Sequence, residues 1–160
     1  MSTLGKVVTG LVLAPIAILV LGIGGCEAKK AYYDWQVQRM CEKDGGAIVY
    51  EQMSISPGMF KRMRGNLGGA PVVPPESARD TEVPVFLRAE AQRIREGHPS
   101  ITRTEYAIIR RSDAKILGKV VYYGRGGGDF PFTVSEATYF QCPRNAELER
   151  KIFSVEGETK

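Results

Sequence analysis

The chain has 160 residues, a net charge of +4 and the hydrophobic and charged content of an ordinary folded domain. A chain of this length buries a core without several covalent staples. Its arginines lie among acids, Arg88 near Glu90 and Arg93 and Arg95 beside Glu96, so the basic stripe of a nucleic-acid surface is absent. The densest basic cluster, Lys61, Arg62 and Arg64, suits at most a weak phosphate or anionic-lipid contact.

From Val7 to Gly25 no residue is charged. At ~1.5 Å per residue this run is near the lower limit for crossing a hydrocarbon layer ~30 Å thick. It begins with the amino group and Lys6, and it ends on Gly22, Gly24 and Gly25. A basic start, an apolar middle and small residues make the plan of a secretory leader. The tetrapeptide "IGGC" resembles a bacterial lipobox, which implies a Cys26 diacylated on sulfur that becomes the new N-terminus. Two or three acyl chains suffice for stable anchoring. Lys29 and Lys30 follow directly, however, and basic residues behind a span favour keeping that side in the cytoplasm. Residues 1–25 are therefore read as a signal peptide or an N-terminal membrane anchor. Cys26 is either a lipidation site or a plain thiol at the membrane edge. Residues 26–160 are read as one exported α+β domain.

Residues 28–44 read as a helix with Tyr33, Val37, Met40 and Cys41 on one face, which is expected to pack on a sheet. Ala28, Ala31, Tyr32 and Trp35 gather on nearly the opposite side, as core or as rings at the headgroup level. "DGG" at 44–46 ends the helix, and "AIVYEQMSI" follows as one strand with Ile48 and Tyr50 on one side and Val49 and Glu51 on the other. Residues 56–84, rich in proline and glycine, read as a long irregular loop. Its Met59, Phe60 and Met63 are a candidate docking segment. "VFLRAEAQRIREG" reads as a short strand entering an amphipathic turn or two. The clearest unit is an antiparallel hairpin, "ITRTEYAIIRR" and "KILGKVVYYG" around "SDA", with Tyr106 and Ile108 on one face and Val120 and Tyr122 likewise. "ATYFQCP" is a further strand, and "NAELERKIFS" closes as a short helix with Leu148 and Ile152 on one side. The expected architecture is α+β: an N-terminal membrane segment and helix, a small antiparallel sheet with a central hairpin, and a short C-terminal helix.

Beyond the leader only Cys41 and Cys142 remain, near the two ends of the domain. With no CxxC and a single histidine, His98, the spacing is not that of a metal site, and no metal or cofactor is expected. In an oxidising compartment the pair reads as a disulfide joining the first helix to the last strand. The alternative is two separate buried thiols. Closing so long a loop stabilises by roughly 4–5 kcal/mol.

Taken together, "WQVQRMCEKDGGAIVYE", "ILGKVVYYGRGGG" and "FQCP" resemble a group of small proteobacterial lipoprotein-like envelope proteins. Their Cys-x-x-Asp-Gly-Gly element corresponds to Cys41, Asp44, Gly45 and Gly46, and the late Cys-Pro to Cys142 and Pro143. The resemblance implies an envelope location and a shared scaffold, with no activity attached.

The chemistry on offer is sparse. "GRGGG" makes Arg125, Gly126 and Gly127 a candidate anion contact, although no Lys-Ser or Lys-Thr follows as in a phosphate loop. His98 has no nucleophile near it in sequence. Glu51, Glu90, Glu105, Asp129 and Glu136 show no pairing for acid–base work, and Asp44 reads as a helix-end residue. The expectation is a non-enzymatic binding or scaffold module, anchored to a membrane with its domain in the periplasm and partnered by another envelope protein. The alternatives are an accessory subunit of a larger membrane complex, or an enzyme. An enzyme requires a pocket lined by Tyr106, Tyr122, Arg125 and a perturbed carboxylate.

Overall fold

A computed structural model describes residues 3–63, 72–77, 82–129 and 137–157, with side chains of the first helix described from Val20 onward. The chain is α+β. One helix, α1, runs unbroken over Thr3–Asp44, so the helix expected from residue 28 begins far earlier. Among the described residues no helix is long and apolar enough to cross a membrane. Most of the uncharged run belongs to the residues whose side chains lie outside that description, as does the leader expected at 1–25.

At its C-terminal end α1 stops where Gly45 donates its backbone N–H to the Cys41 carbonyl at 2.8 Å. A side chain at Gly45 would collide with Cys41, and Gly46 takes a positive φ of 109°. Both positions thus require glycine for the chain to leave the helix at once. The stretch expected as one strand is two, β1 at Gly46–Val49 and β2 at Met53–Ile55, in different sheets. The break falls where Tyr50 and Glu51 both turn their N–H groups to the Leu117 carbonyl.

Instead of an irregular loop, the next residues form a short helix, α2, at Pro57–Met63. Ser56 caps it through its hydroxyl to the Met59 N–H at 3.2 Å, and Pro57 sits at the first helical position, where its missing N–H costs nothing. Met63 is buried in the core with Met59 and Phe60 packed beside it. Of the expected docking segment, Met63 is thus core, and Met59 and Phe60 are part-buried against it. Residues 64–71 and 78–81 lie outside the described residues.

The main sheet is built on β3 (Val85–Arg95), β4 (Ser100–Arg110) and β5 (Ile116–Gly126), paired antiparallel in the order β5-β4-β3. β3 is a full strand rather than a strand entering helical turns, because its whole length pairs with β4, from Val85↔Arg110 to Arg95↔Ile101 with one bulge. The other edge of β5 is shared end to end. β1 pairs with residues 118–121, and β6 (Tyr139–Cys142) pairs with residues 123–126. The short helix α3, Leu148–Ile152, leads directly into β7, Phe153–Val155, which pairs with β2 in parallel.

Alternation along β4 and β5 divides the interior in two. One face carries Ile108 and Val120 against Ile55, Met63, Leu148, Ile152 and Phe153, with Tyr106 and Tyr122 at its margin. The opposite face carries Ile101, Val121 and Tyr123 against Val37 and Cys41 of α1, with Tyr33 and Met40 alongside. Val37 and Ile152 have no exposed surface, and burial of a side chain of this size stabilises by ~1.5–3 kcal/mol.

Candidate functional site

The chemistry-bearing side chains converge on one place, the seam where α1 lies against the sheet. Lys30, Asp34, Val37 and Cys41 are spaced by four, three and four residues, so they form one stripe along the helix. The stripe lies over β5 and β6, and its character changes along its length.

At the end nearest the C-terminus of α1 the contact is covalent. Cys41 and Cys142 form a disulfide, with Cα atoms 6.0 Å apart, joining the first helix to β6. Beside it, the Tyr123 hydroxyl donates to Asp44 at 2.7 Å, and Arg103 lies 3.5 Å from the other oxygen of the same carboxylate. Burial and the Asp44 carboxylate both push the Tyr123 phenol above its ordinary range. Arg103 also reaches Glu105 at 2.8 Å, and Glu105 faces Lys119 at 3.7 Å. Asp44 is thus a helix-end tie, as the sequence suggested.

At the other end the contact is ionic. Arg125 is only 3 % exposed, and its Nε donates to Asp34 at 2.5 Å. Its Nη1 donates to the Gly127 carbonyl and, at 3.2 Å, to the Thr138 hydroxyl. That hydroxyl in turn donates to Asp129 at 2.8 Å, and the Thr138 N–H donates to the second Asp129 oxygen at 2.7 Å. Lys30 closes the chain, 3.2 Å from Asp129 and 2.5 Å from Glu27. The two Thr138 hydrogen bonds, with Lys30 behind them, hold the Asp129 carboxyl down at about 2. Glu27 first, and then Asp129, raise the Lys30 ammonium above its ordinary range against the effect of burial.

The glycines of "GRGGG" serve this seam. Gly127 and Gly128 take positive φ values of 77° and 95°. A methyl group at Gly128 would sit 3.2 Å from Lys30 Cγ and 3.3 Å from Pro99 Cβ, so the bare backbone lets helix and hairpin approach. At the candidate anion contact of Arg125, Gly126 and Gly127 the guanidinium is buried and paired with Asp34 through Nε, and its Nη1 is bonded to the Gly127 carbonyl and Thr138. The loop is a seat for α1.

The remaining candidates are dispersed. Tyr106 and Tyr122 stack edge to face at 5.9 Å, but on the sheet face opposite Arg125, so the three do not line one pocket. His98 is exposed at the β3–β4 turn. Glu51 is held by Lys115 at 2.6 Å and Arg110 at 2.5 Å, with its carboxyl lowered by both, while Glu136 lies outside the described residues. Cys26 is a free thiol, part-exposed on the helix. Among the described residues no group of His, Cys, Asp and Glu is placed to hold a metal ion. Sequence reasoning overlooked Lys30, Asp34 and Thr138 as partners. The first two share the cysteine stripe of α1, which is the signal that could have found them, whereas nothing in the sequence marks Thr138.

No protein-family model, no curated protein and no solved structure matches the chain.

Proposed function

We propose that this chain is a membrane-anchored envelope protein. Its domain is held in the periplasm and acts as a non-enzymatic binding or scaffold module, in keeping with the lipoprotein-like proteins its cysteine motifs resemble. One observation carries the reading: the helix that bears the uncharged run at 7–25 is the same helix fastened to the sheet by a disulfide and part-buried ion pairs. A disulfide suits an oxidising compartment, and an unbroken helix makes anchor and domain one rigid piece. Acylation of Cys26 after cleavage is the other form of the same anchor. An accessory role in a larger membrane complex is favoured by the Tyr32 and Trp35 rings, which are 56 % and 55 % exposed on the side of α1 away from the sheet. An enzyme has less support, because the arginine of the glycine-rich loop is buried and paired with Asp34.

The test is the intact mass of protein extracted from membranes, combined with protease treatment of cells whose outer membrane has been permeabilised. A membrane-bound chain, cleaved by added protease and lighter by two hydrogens, meets the proposal. A soluble chain with free thiols, protected inside intact inner membranes, ends it. The same mass separates an acylated Cys26 from a retained leader.

A further inference from the structure

The way α1 meets the domain sets which part of the domain faces the bilayer. We infer that the turn between β3 and β4, with the glycine-rich end of β5 behind it, rests on the phospholipid headgroups of the membrane that holds residues 7–25. This rests on the anchored reading above and adds an orientation to it.

Three observations carry it. The helix has no break between the uncharged run and the docked half, so depth along α1 counts as height above the bilayer. The charged residues begin at Glu27, so the hydrocarbon edge lies near Gly25. The domain reaches down the helix as far as Lys30, whose ammonium meets Asp129 at 3.2 Å and whose Cγ lies against Gly128. Pro99 packs on the same glycine and His98 on Gly127, which brings the β3–β4 turn to the same level.

Lys30 lies five residues past Gly25, or ~7.5 Å along a helix axis. A headgroup layer is ~5–7.5 Å deep on each side of the hydrocarbon. The domain therefore has no gap in which to stand clear of the lipid. The surface it turns downward is polar: Glu96, Gly97 and His98 of the turn and Lys29 of the helix are all exposed. Such groups exchange hydrogen bonds with headgroups and do not insert among acyl chains. Trp35 lies ten residues past Gly25, ~15 Å up an upright helix, and so above that layer.

The chain has one tryptophan, Trp35, which permits a direct measurement. Full-length protein is reconstituted into vesicles of phosphatidylethanolamine and phosphatidylglycerol doped with phosphatidylcholine brominated near the headgroup end of its acyl chains. Quenching of Trp35 is compared with that of a Trp35→Phe, His98→Trp variant that retains the disulfide. The new tryptophan is expected to be quenched at least about twofold more than Trp35, in keeping with its lower level. Equal quenching, or stronger quenching of Trp35, in protein that floats with the vesicles overturns the orientation and leaves the anchor standing. Protein that does not float with the vesicles overturns the anchor and the orientation together. Should His98→Trp fail to form the disulfide, Glu96→Trp on the same turn carries the same comparison.

Discussion

Removing the disulfide should weaken the domain greatly while leaving its native shape intact. Cys41 and Cys142 are separated by 101 residues, and closing a loop of that length removes enough entropy from the unfolded chain to stabilise by about 4–5 kcal/mol. Within the folded domain the bond has company along the same seam. Val37 is fully buried, Asp34 holds Arg125 and Lys30 holds Asp129, so α1 remains seated when the sulfurs part. The loss then appears through the unfolded state. With a urea dependence of about 1–2 kcal/mol per molar, the unfolding midpoint should fall by roughly 2–5 M. The assay is urea denaturation of the full-length protein in a mild detergent, followed by circular dichroism with and without reductant. A double Cys41→Ala, Cys142→Ala variant serves as the permanent reduced form. A fall of under about 0.5 M would refute the loop-closure reasoning. So would a Trp35 signal that changes on reduction well before the sheet melts, since the bond would then be holding down the helix alone.

Other perturbations separate the parts of the seam. Asp34→Ala strands the Arg125 guanidinium; breaking a fully buried pair costs ~3–5 kcal/mol, and because Asp34 is 31 % exposed a loss of roughly 2–3 kcal/mol is expected in the same denaturation assay. The Asp129 clamp gives a pH signature. Its carboxyl sits at about 2 when folded against an ordinary 3.8, so its contribution is present above 3.8 and disappears as pH falls to about 2. Lys30, raised above 10.5, adds a contribution that holds below that value and is lost as pH rises through its elevated one. The thermal midpoint of the native protein minus that of Asp129→Asn should accordingly be flat near neutrality and shrink in acid; a difference unchanged down to about pH 2 contradicts the clamp. Finally, a methyl group at Gly118 would lie 2.8 Å from Ile152 Cδ1 and 2.9 Å from the Ile48 carbonyl, so Gly118→Ala should destabilise by about 1–3 kcal/mol. At Gly124 the three atoms nearest an added methyl all belong to the Tyr139 ring, which is 66 % exposed and able to swing aside, so Gly124→Ala should cost clearly less in calorimetry.

What was legible in the sequence was what local periodicity dictates. The β4–β5 hairpin, the sheet-facing stripe of Tyr33, Val37, Met40 and Cys41, and the pairing of Leu148 with Ile152 all follow from residues a few positions apart. The misreadings share a cause in long-range pairing. "RAEAQRIR" in β3 has an amphipathic look, yet β4 claims it as a strand, because a complete antiparallel ladder outweighs weak helical preference. β2 and β7 are three residues each and find one another across the whole domain, which no local pattern announces. For the site, the cysteines were readable because sulfur has few alternatives. Arg125 was read outward, toward a ligand, because a glycine-rich loop with an arginine invites it. Its true partner, Asp34, lies 91 residues earlier on a helix.

The change of character along the α1 seam has a physical logic on the anchored reading. An apolar seam continued from Val37 down to Gly25 would merge with the uncharged run into one greasy face with no mark of where lipid ends. Lys30, Asp34 and Asp129 interrupt it with charges that are satisfied in place by Arg125 and Thr138. Drawing α1 one turn deeper, ~5.4 Å, would carry Glu27 below the hydrocarbon edge and Lys29 down to it, at a cost that rises toward ~2.5–3.5 kcal/mol per charged side chain at the centre of the layer. Letting it rise would expose the uncharged run to water. On that reading the charges after the uncharged run would set the depth of the helix, while the ionic pairs and the disulfide fasten the helix to the sheet. Together they would hold the folded domain at one height above the bilayer, which a flexible tether would not do.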